Sequence, residues 1–182
     1  MGKIIFLLGG ARSGKSQFAI KLAKKDARKV AFIATCVGLD REMEKRISLH
    51  KKNRPSNWQT FEAPKDIALL LKKIGSKFEI IIIDCLTLFV SSFLLKGLKE
   101  EAIENKINKI LAVLKKIKAQ SIIVSNEVGL GIVPKNKLAR DFRDIAGRVN
   151  QIVAEKSDEV FFMIAGIPIK IKNSKQENRL RR

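Results

Sequence analysis

The chain has 182 residues and a mass of 20.4 kDa, a length typical of one domain. Hydrophobic residues make up 46% of it and charged residues 30%, which excludes the low-hydrophobicity composition of a disordered chain. The chain has 37 Lys and Arg residues against 18 Asp and Glu residues. The resulting net charge of +19 indicates an anionic partner, such as nucleic acid.

The number of cysteines and the length of the apolar runs indicate the cellular compartment of the protein. Two cysteines, Cys36 and Cys85, are too few for a disulfide framework. The apolar runs at residues 4–8 and 80–83 are far shorter than the roughly 20 residues that cross a bilayer. The amino terminus leads at once into an apolar run without a secretory signal. We therefore expect a cytoplasmic protein with no membrane span.

The sequence of the amino-terminal half predicts a strand, a glycine turn, a helix and a second strand, in that order. Residues 3–8 are a continuous apolar run that ends at two glycines, as expected of a strand buried on both faces. From Lys15 onward, apolar residues recur at helical spacing, and residues 30–34 predict a second buried strand. Residues 40–52 carry another helical stripe, which ends at Pro55.

The carboxyl-terminal half continues this alternation. The predicted strands are residues 78–83, 121–125 and 159–165, and the predicted helices are residues 87–95, 103–117 and 138–153, with a loop at residues 129–134. Repeated βαβα order predicts an α/β fold, a mostly parallel sheet with helices on both faces. We expect one domain over residues 1–172 and a basic, disordered tail over residues 173–182.

A phosphate-binding loop is predicted between the first strand and the first helix. Its spacing, G-x-x-x-x-G-K-[ST], is met by Gly9, Gly10, Ala11, Arg12, Ser13, Gly14, Lys15 and Ser16. The glycines let backbone N–H groups turn toward phosphate oxygens at a helix amino terminus. Lys15 is expected to reach the β- and γ-phosphates and Ser16 to bind Mg²⁺. The motif predicts a nucleoside triphosphate site.

Asp84 is the candidate for the second magnesium ligand. It closes a run of four isoleucines, where a carboxylate would otherwise be desolvated without compensation. P-loop enzymes hold their metal with such an acid at the end of a buried strand. A plain strand-end cap is the competing interpretation.

His50 is the single histidine, and it has two interpretations. A neutral imidazole can attack phosphorus, and the nearby Arg46, Lys51, Lys52 and Arg54 would depress its pKa and attract phosphates. On general grounds, however, a lone histidine on the apolar stripe of a helix is more often a packed or surface residue.

Several segments together resemble the bifunctional adenosylcobinamide kinase/adenosylcobinamide-phosphate guanylyltransferases of vitamin B12 biosynthesis. The resembling segments are residues 9–16, residues 33–36, His50 with Arg54, Pro55 and Trp58, residues 84–88, and residues 125–134 with their continuation to residue 151. The last segment is the most specific of them. The resemblance covers residues 4–172.

The resemblance implies two reactions and a RecA-like P-loop fold. The enzyme would phosphorylate the aminopropanol hydroxyl of adenosylcobinamide with ATP or GTP, and then transfer GMP from GTP through a GMP–histidine intermediate at His50. It also implies a homotrimer. The nucleotide contacts implied beyond the phosphate loop are Thr35, Cys36, Val37, Lys51, Lys52, Asn53, Glu62 and Asp84.

Two other functions stay open at this stage. One is a P-loop kinase of another small alcohol, in which His50 is structural. The other is a nucleic-acid-binding ATPase, suggested by the charge, although no stacking motif or known nucleic-acid module is present. Five polar residues have no single assignment, because they could bind the corrinoid, the nucleotide or a neighbouring subunit, or form a structural network: Asn126, Glu127, Arg140, Arg143 and Asp144.

Overall fold

The computed structural model describes residues 2–26, 29–35, 51, 54–62, 64 and 66–173. In these residues, seven strands form one sheet. The strands are β1 (Ile4–Gly9), β2 (Val30–Ala34), β3 (Gln59–Glu62), β4 (Ile80–Asp84), β5 (Gln120–Val124), β6 (Glu159–Ile164) and β7 (Ile167–Asn173). The helices are α1 (Lys15–Asp26), α2 (Ile67–Ile74), α3 (Leu86–Leu94), α4 (Glu100–Lys116) and α5 (Lys137–Lys156).

The sheet is parallel except at one edge. Its strand order is β3-β2-β4-β5-β1-β6-β7, and only the β6–β7 pair is antiparallel. The carboxyl ends of six strands therefore lie along the same edge, where open α/β sheets bind their ligands.

The continuous apolar runs are explained by burial on both faces. Ile4 and Phe6 of β1 belong to a core cluster shared with α2, α3, α4 and α5. Ile5 and Leu7, which alternate with them, belong to a second cluster with Ala19 of α1. Because successive strand residues point to opposite faces, both must be apolar. The predicted α/β architecture with helices on both faces is confirmed.

Three elements were not predicted from the sequence. Strand β3 has only four residues and pairs with β2. Helix α2 begins after Asp66, whose carboxylate accepts a hydrogen bond from the Leu69 amide at 2.9 Å. Strand β7 turns back from β6 at Ala165 and Gly166, both with positive φ, as a tight hairpin requires.

Two predicted regions lie largely outside the residues that the structure describes. The predicted helix at residues 40–52 is described only at Lys51, and residues 174–182 of the predicted tail are not described. Strand β7 includes Asn173, one residue beyond the predicted end of the domain. The assignment of the tail as disordered stays a prediction.

Glu159 joins the start of β6 to two lysines, and this predicts an acid-dependent loss of stability. Its carboxylate lies 2.9 Å from the Lys3 ammonium and 3.1 Å from that of Lys170. Burial alone raises the pKa of Glu159, but both ammonium groups lower it, and together they hold it below its ordinary value. A carboxyl with a depressed native pKa stabilises the fold above its unfolded pKa and loses that contribution as the pH falls through the native value.

We expect Glu159→Gln to lower the free energy of unfolding at pH 7 by about 1 kcal/mol or less, because both lysines are partly exposed. The difference from the wild type should shrink as the pH falls below the ordinary pKa of 4.5. Urea unfolding from pH 7 to pH 3 measures it. A difference that stays constant over that range would show that the two ion pairs are not its source.

Candidate active site

The predicted site residues that the structure describes lie along the carboxyl edge of the parallel sheet. The phosphate loop follows β1, Thr35 follows β2, and Asp84 ends β4. Strand β5 lies between β4 and β1, so Ser125 and the residues after it lie between the phosphate loop and Asp84. The alternation of strand and helix thus brings together residues far apart in the chain.

Backbone conformation explains the glycines of the phosphate loop. Gly9 has φ +151°, and a Cβ there would lie 2.5 Å from the Met163 carbonyl oxygen. Gly14 has φ +92°, and a Cβ there would lie 3.1 Å from Cα of Gly166, whose amide donates to the Ser13 carbonyl. Side chains are excluded at both positions by conformation and by space. The β6–β7 turn therefore buttresses the loop.

The ammonium of Lys15 is held inside the loop. Lys15 is only 6% exposed, and its Nζ donates to the Gly10 carbonyl at 2.5 Å and to Ser13 Oγ at 3.3 Å. Ala11 and Arg12 are exposed at the turn, whereas Ser13 is buried beneath it. A positive charge enclosed by the backbone in this way is placed to receive phosphate oxygens.

Asp84 and Thr35 form the next part of the edge. The Thr35 amide donates to the Asp84 carbonyl at 3.1 Å, and the Thr35 hydroxyl donates to the Cys85 carbonyl at 2.6 Å. These bonds fix the strand ends of β2 and β4 against each other. The side chains of Asp84 and Ser16 are both partly buried and supply the oxygen donors that Mg²⁺ prefers.

Lys51 and Glu62, two of the expected nucleotide contacts, are paired. Lys51 Nζ lies 2.5 Å from Glu62 Oε1, and both side chains are about half exposed. Glu62 is the last residue of β3, so this short strand carries it to the carboxyl edge. The other expected contacts from the same region, His50, Cys36, Val37, Lys52 and Asn53, lie outside the described residues.

Arg54 lies near Asp84 and Glu62 of the candidate site, in an environment that the sequence did not reveal. Its guanidinium carbon lies 3.8 Å from the ring centroid of Phe32 on β2. Its Nε and Nη1 atoms are buried and have no hydrogen-bond acceptor in the part of the chain described. Burial lowers the pKa of Arg54, and the carboxylates of Asp84 and Glu62 partly offset that effect. A desolvated guanidinium with unused donors is suited to bind an anion.

A hydrogen-bond network fixes the chain after β5. Thr87 Oγ1 contacts Ser125 Oγ at 3.1 Å and accepts from the Asn126 amide at 2.6 Å. From α5, the Asn150 side-chain amide donates to the Asn126 carbonyl at 3.1 Å. The Glu127 amide donates to the Gly9 carbonyl at 2.9 Å. This network holds residues 125–127 against the phosphate loop.

The comparison with known families decides the assignment. A family model described as cobinamide kinase / cobinamide phosphate guanyltransferase matches residues 5–171. The chain belongs to this family. Its phosphate loop, Asp84 and the segment after β5 all lie within the matched region.

Curated relatives match the chain over nearly their full length and support the same family. The chain is 41% identical to the bifunctional adenosylcobalamin biosynthesis protein CobU of Salmonella typhimurium, over 93% of this chain and 99% of that protein. CobU of Escherichia coli is 40% identical with the same coverage. CobP of Pseudomonas aeruginosa is 38% identical over 91% of this chain and 95% of its own. The chain is therefore an enzyme of the cobinamide kinase and guanylyltransferase family.

A solved structure supports the fold of this family member. The KaiC-like protein of Pyrococcus horikoshii OT3 superposes with a TM-score of 0.50 at 14% identity, covering 88% of this chain and 70% of that one. At this identity the likeness concerns the fold alone, and it confirms the predicted fold class, a mostly parallel sheet with helices on both faces. No helix in the described ranges is long and apolar enough to cross a bilayer.

Proposed function

We propose that the chain carries out both reactions at the carboxyl edge of its sheet. It phosphorylates the aminopropanol hydroxyl of adenosylcobinamide with ATP or GTP, and it then transfers GMP from GTP to adenosylcobinamide phosphate. The products of the second reaction are adenosylcobinamide-GDP and pyrophosphate. The observation that carries the proposal is the phosphate loop with its enclosed Lys15, at the same edge as Asp84, in a chain that matches the family from residue 5 to residue 171.

In the kinase step, the hydroxyl oxygen attacks the γ-phosphorus while the bond to the β–γ bridging oxygen breaks, so that the nucleoside diphosphate leaves and the hydroxyl proton passes to solvent. Lys15 and the loop amides bind the β- and γ-phosphates and stabilise the charge that moves onto the leaving oxygen. Ser16 and Asp84 would hold Mg²⁺, because a hydroxyl and a carboxylate are suitable oxygen ligands. When bound, Mg²⁺ supplies further neutralisation of phosphate charge.

In the transfer step, we propose His50 as the nucleophile. Its imidazole nitrogen attacks the α-phosphorus of GTP, and the bond to pyrophosphate breaks. The phosphate of adenosylcobinamide phosphate then attacks the same phosphorus and releases the imidazole. Lys51, the residue that follows His50 in the chain, pairs with Glu62 at the carboxyl edge of the sheet, and this pair supports a role for His50 in the transfer step. We include Thr35, Cys36, Val37, Lys52 and Asn53 among the nucleotide contacts.

Analysis of the corrinoid products tests the proposed function. Incubation with adenosylcobinamide, GTP and Mg²⁺ should yield first the phosphate and then the GDP derivative, which chromatography with mass spectrometry separates. Phosphate without the GDP derivative would leave a kinase in which His50 is structural. Unmodified corrinoid, together with triphosphate hydrolysis stimulated by DNA or RNA, would favour the nucleic-acid-binding ATPase.

Arg54 gives a prediction that separates binding from stability. We expect Arg54→Met to weaken triphosphate binding about tenfold or more, because a charge-assisted hydrogen bond contributes about 1.5–3 kcal/mol. The same change removes buried donors that lack acceptors, so the free energy of unfolding should stay equal or rise. Isothermal titration with a non-hydrolysable triphosphate and thermal unfolding measure the two effects.

Arg54→Lys is the matched control, because it keeps the charge but removes the planar fork. We expect it to recover only part of the affinity. Unchanged affinity in Arg54→Met would remove Arg54 from the site.

We also propose a cytoplasmic homotrimer. One observation supports a contact between subunits. In the described residues, β7 is the last strand of the sheet, and it exposes Ile167, Ile169 and Ile171 next to the exposed Ile164 of β6. Apolar side chains on an unpaired edge strand invite pairing with another copy. Light scattering on the purified protein measures the number of subunits, and a monomer mass would refute the trimer.

A further inference from the structure

A short loop beside the phosphate site exposes an unusual amount of apolar surface. We name residues 129–134 the apolar loop. Leu130 is 80% exposed, Ile132 94% and Val133 60%. Residues 128–134 include no charged side chain, although 30% of the chain is charged. Isolated apolar residues at a surface are ordinary, but three within four positions mark a binding surface.

Hydrogen bonds at both ends hold the apolar loop open. Glu127 Oε1 accepts from the Gly129 amide at 2.6 Å, and Arg143 donates to the Gly129 carbonyl at 2.9 Å. At the other end, Arg140 donates to the carbonyls of Pro134 and Lys135. Both arginines belong to α5 and bond to backbone atoms, so they fix the course of the loop and leave its apolar side chains pointing to solvent. These contacts assign Arg140 and Arg143 a structural part.

The apolar loop starts at the phosphate site. Glu127, two residues before it, donates its amide to the carbonyl of Gly9, the first residue of the phosphate loop. An acceptor hydroxyl can react only if it reaches the terminal phosphate held by that loop. The rest of the acceptor molecule must therefore lie over a neighbouring surface, and the apolar loop borders the site directly.

We propose that the apolar loop docks the corrin macrocycle of adenosylcobinamide, which rests on the proposed function. The macrocycle is a broad ring whose faces carry methyl and methylene groups, and Leu130, Ile132 and Val133 offer such groups a complementary surface. A loop without charged side chains avoids desolvating ions when the ring covers it. The polar groups around it, Glu127, Arg140 and Arg143, are engaged with the loop backbone.

The test compares Leu130→Ser/Ile132→Ser with the wild type. We expect the variant to bind adenosylcobinamide about tenfold or more weakly in equilibrium dialysis read by corrinoid absorbance, because two large side chains lose apolar contact. Its affinity for GTP should stay within twofold. Leu69→Ser is the matched control, since Leu69 is 51% exposed on α2 and should leave corrinoid binding unchanged. Circular dichroism verifies folding, and Val133→Ser alone should give a smaller loss in the same direction.

Three results would overturn the inference. Equal corrinoid binding by the variant and the wild type removes the loop from the substrate site. A fall in subunit number by light scattering with the loss of binding assigns the loop to a contact between copies of the chain. No corrinoid binding by the wild type refutes the inference and the proposed function together. Corrinoid binding that depends on the loop, without phosphorylation, would instead refute only the proposed function.

Discussion

Replacement of Lys15 by alanine is expected to lower kcat/KM of the kinase reaction by about 10²–10³, the usual cost of removing one preorganised donor from a transition state. The reason lies in the placement of the ammonium, which is enclosed by the loop and bonded to Gly10 and Ser13. No neighbouring side chain of the phosphate loop can replace that charge, because Arg12 is exposed at the turn. A steady-state assay of corrinoid phosphorylation measures the loss.

Lys21→Ala is the control for Lys15→Ala, because Lys21 lies on the same helix α1 and is exposed. We expect it to keep the wild-type rate. Thermal unfolding should show that both variants are folded. An unchanged rate in Lys15→Ala would refute the assignment of the phosphate loop.

His50→Asn is expected to separate the two reactions. We expect GMP transfer to fall by about 10³ or more, because loss of a covalent nucleophile removes the reaction path itself. Kinase activity should stay within about threefold, since the phosphate loop and Asp84 are untouched. Separate assays of corrinoid phosphorylation and of pyrophosphate release from GTP measure the two rates.

The control for His50→Asn is Lys51→Met, which removes the neighbouring charge and the ion pair with Glu62. We expect it to weaken GTP binding while transfer still occurs. If His50→Asn keeps the transfer rate, another residue is the nucleophile, and Lys51 is the first to examine.

Strand burial decided how much of the fold could be predicted from the sequence. Strands β1, β2 and β4 are buried on both faces, so their apolar runs stand out without any alignment. Strand β3 is mostly exposed and β7 is an exposed edge, so neither presents such a run. Helix α2 did carry a readable signal, because Asp66 precedes apolar residues at helical spacing.

The geometry of the candidate site was predictable where its residues follow a motif and not where it depends on packing. The phosphate loop has a fixed spacing, and Asp84 ends a conspicuous strand. The pair formed by Lys51 and Glu62 depends on β3, and the burial of Arg54 depends on the ring of Phe32. Contacts between residues that are distant in the chain produce no periodic pattern in the sequence, so they could not be predicted from it.

The described structure limits what the net charge of +19 implies about binding partners. Among the described basic residues, few lie where the proposed site would bind phosphates: Lys15 in the phosphate loop, and Lys51 and Arg54 near Glu62 and Asp84. Others serve structure, as Lys3 and Lys170 do with Glu159. The charge therefore does not require a nucleic-acid partner, and it favours the capture of triphosphates in general.

Labelling with radioactive GTP tests the central claim most directly. We predict that GTP labelled at the α-phosphate leaves label on the wild-type protein in the presence of Mg²⁺ and without corrinoid, whereas GTP labelled at the γ-phosphate leaves none. The adduct should be labile in acid and stable in base, as a phosphoramidate is, and it should be absent from His50→Asn. Wild-type protein that takes up no α-label, or a His50→Asn variant that keeps it, would contradict the account.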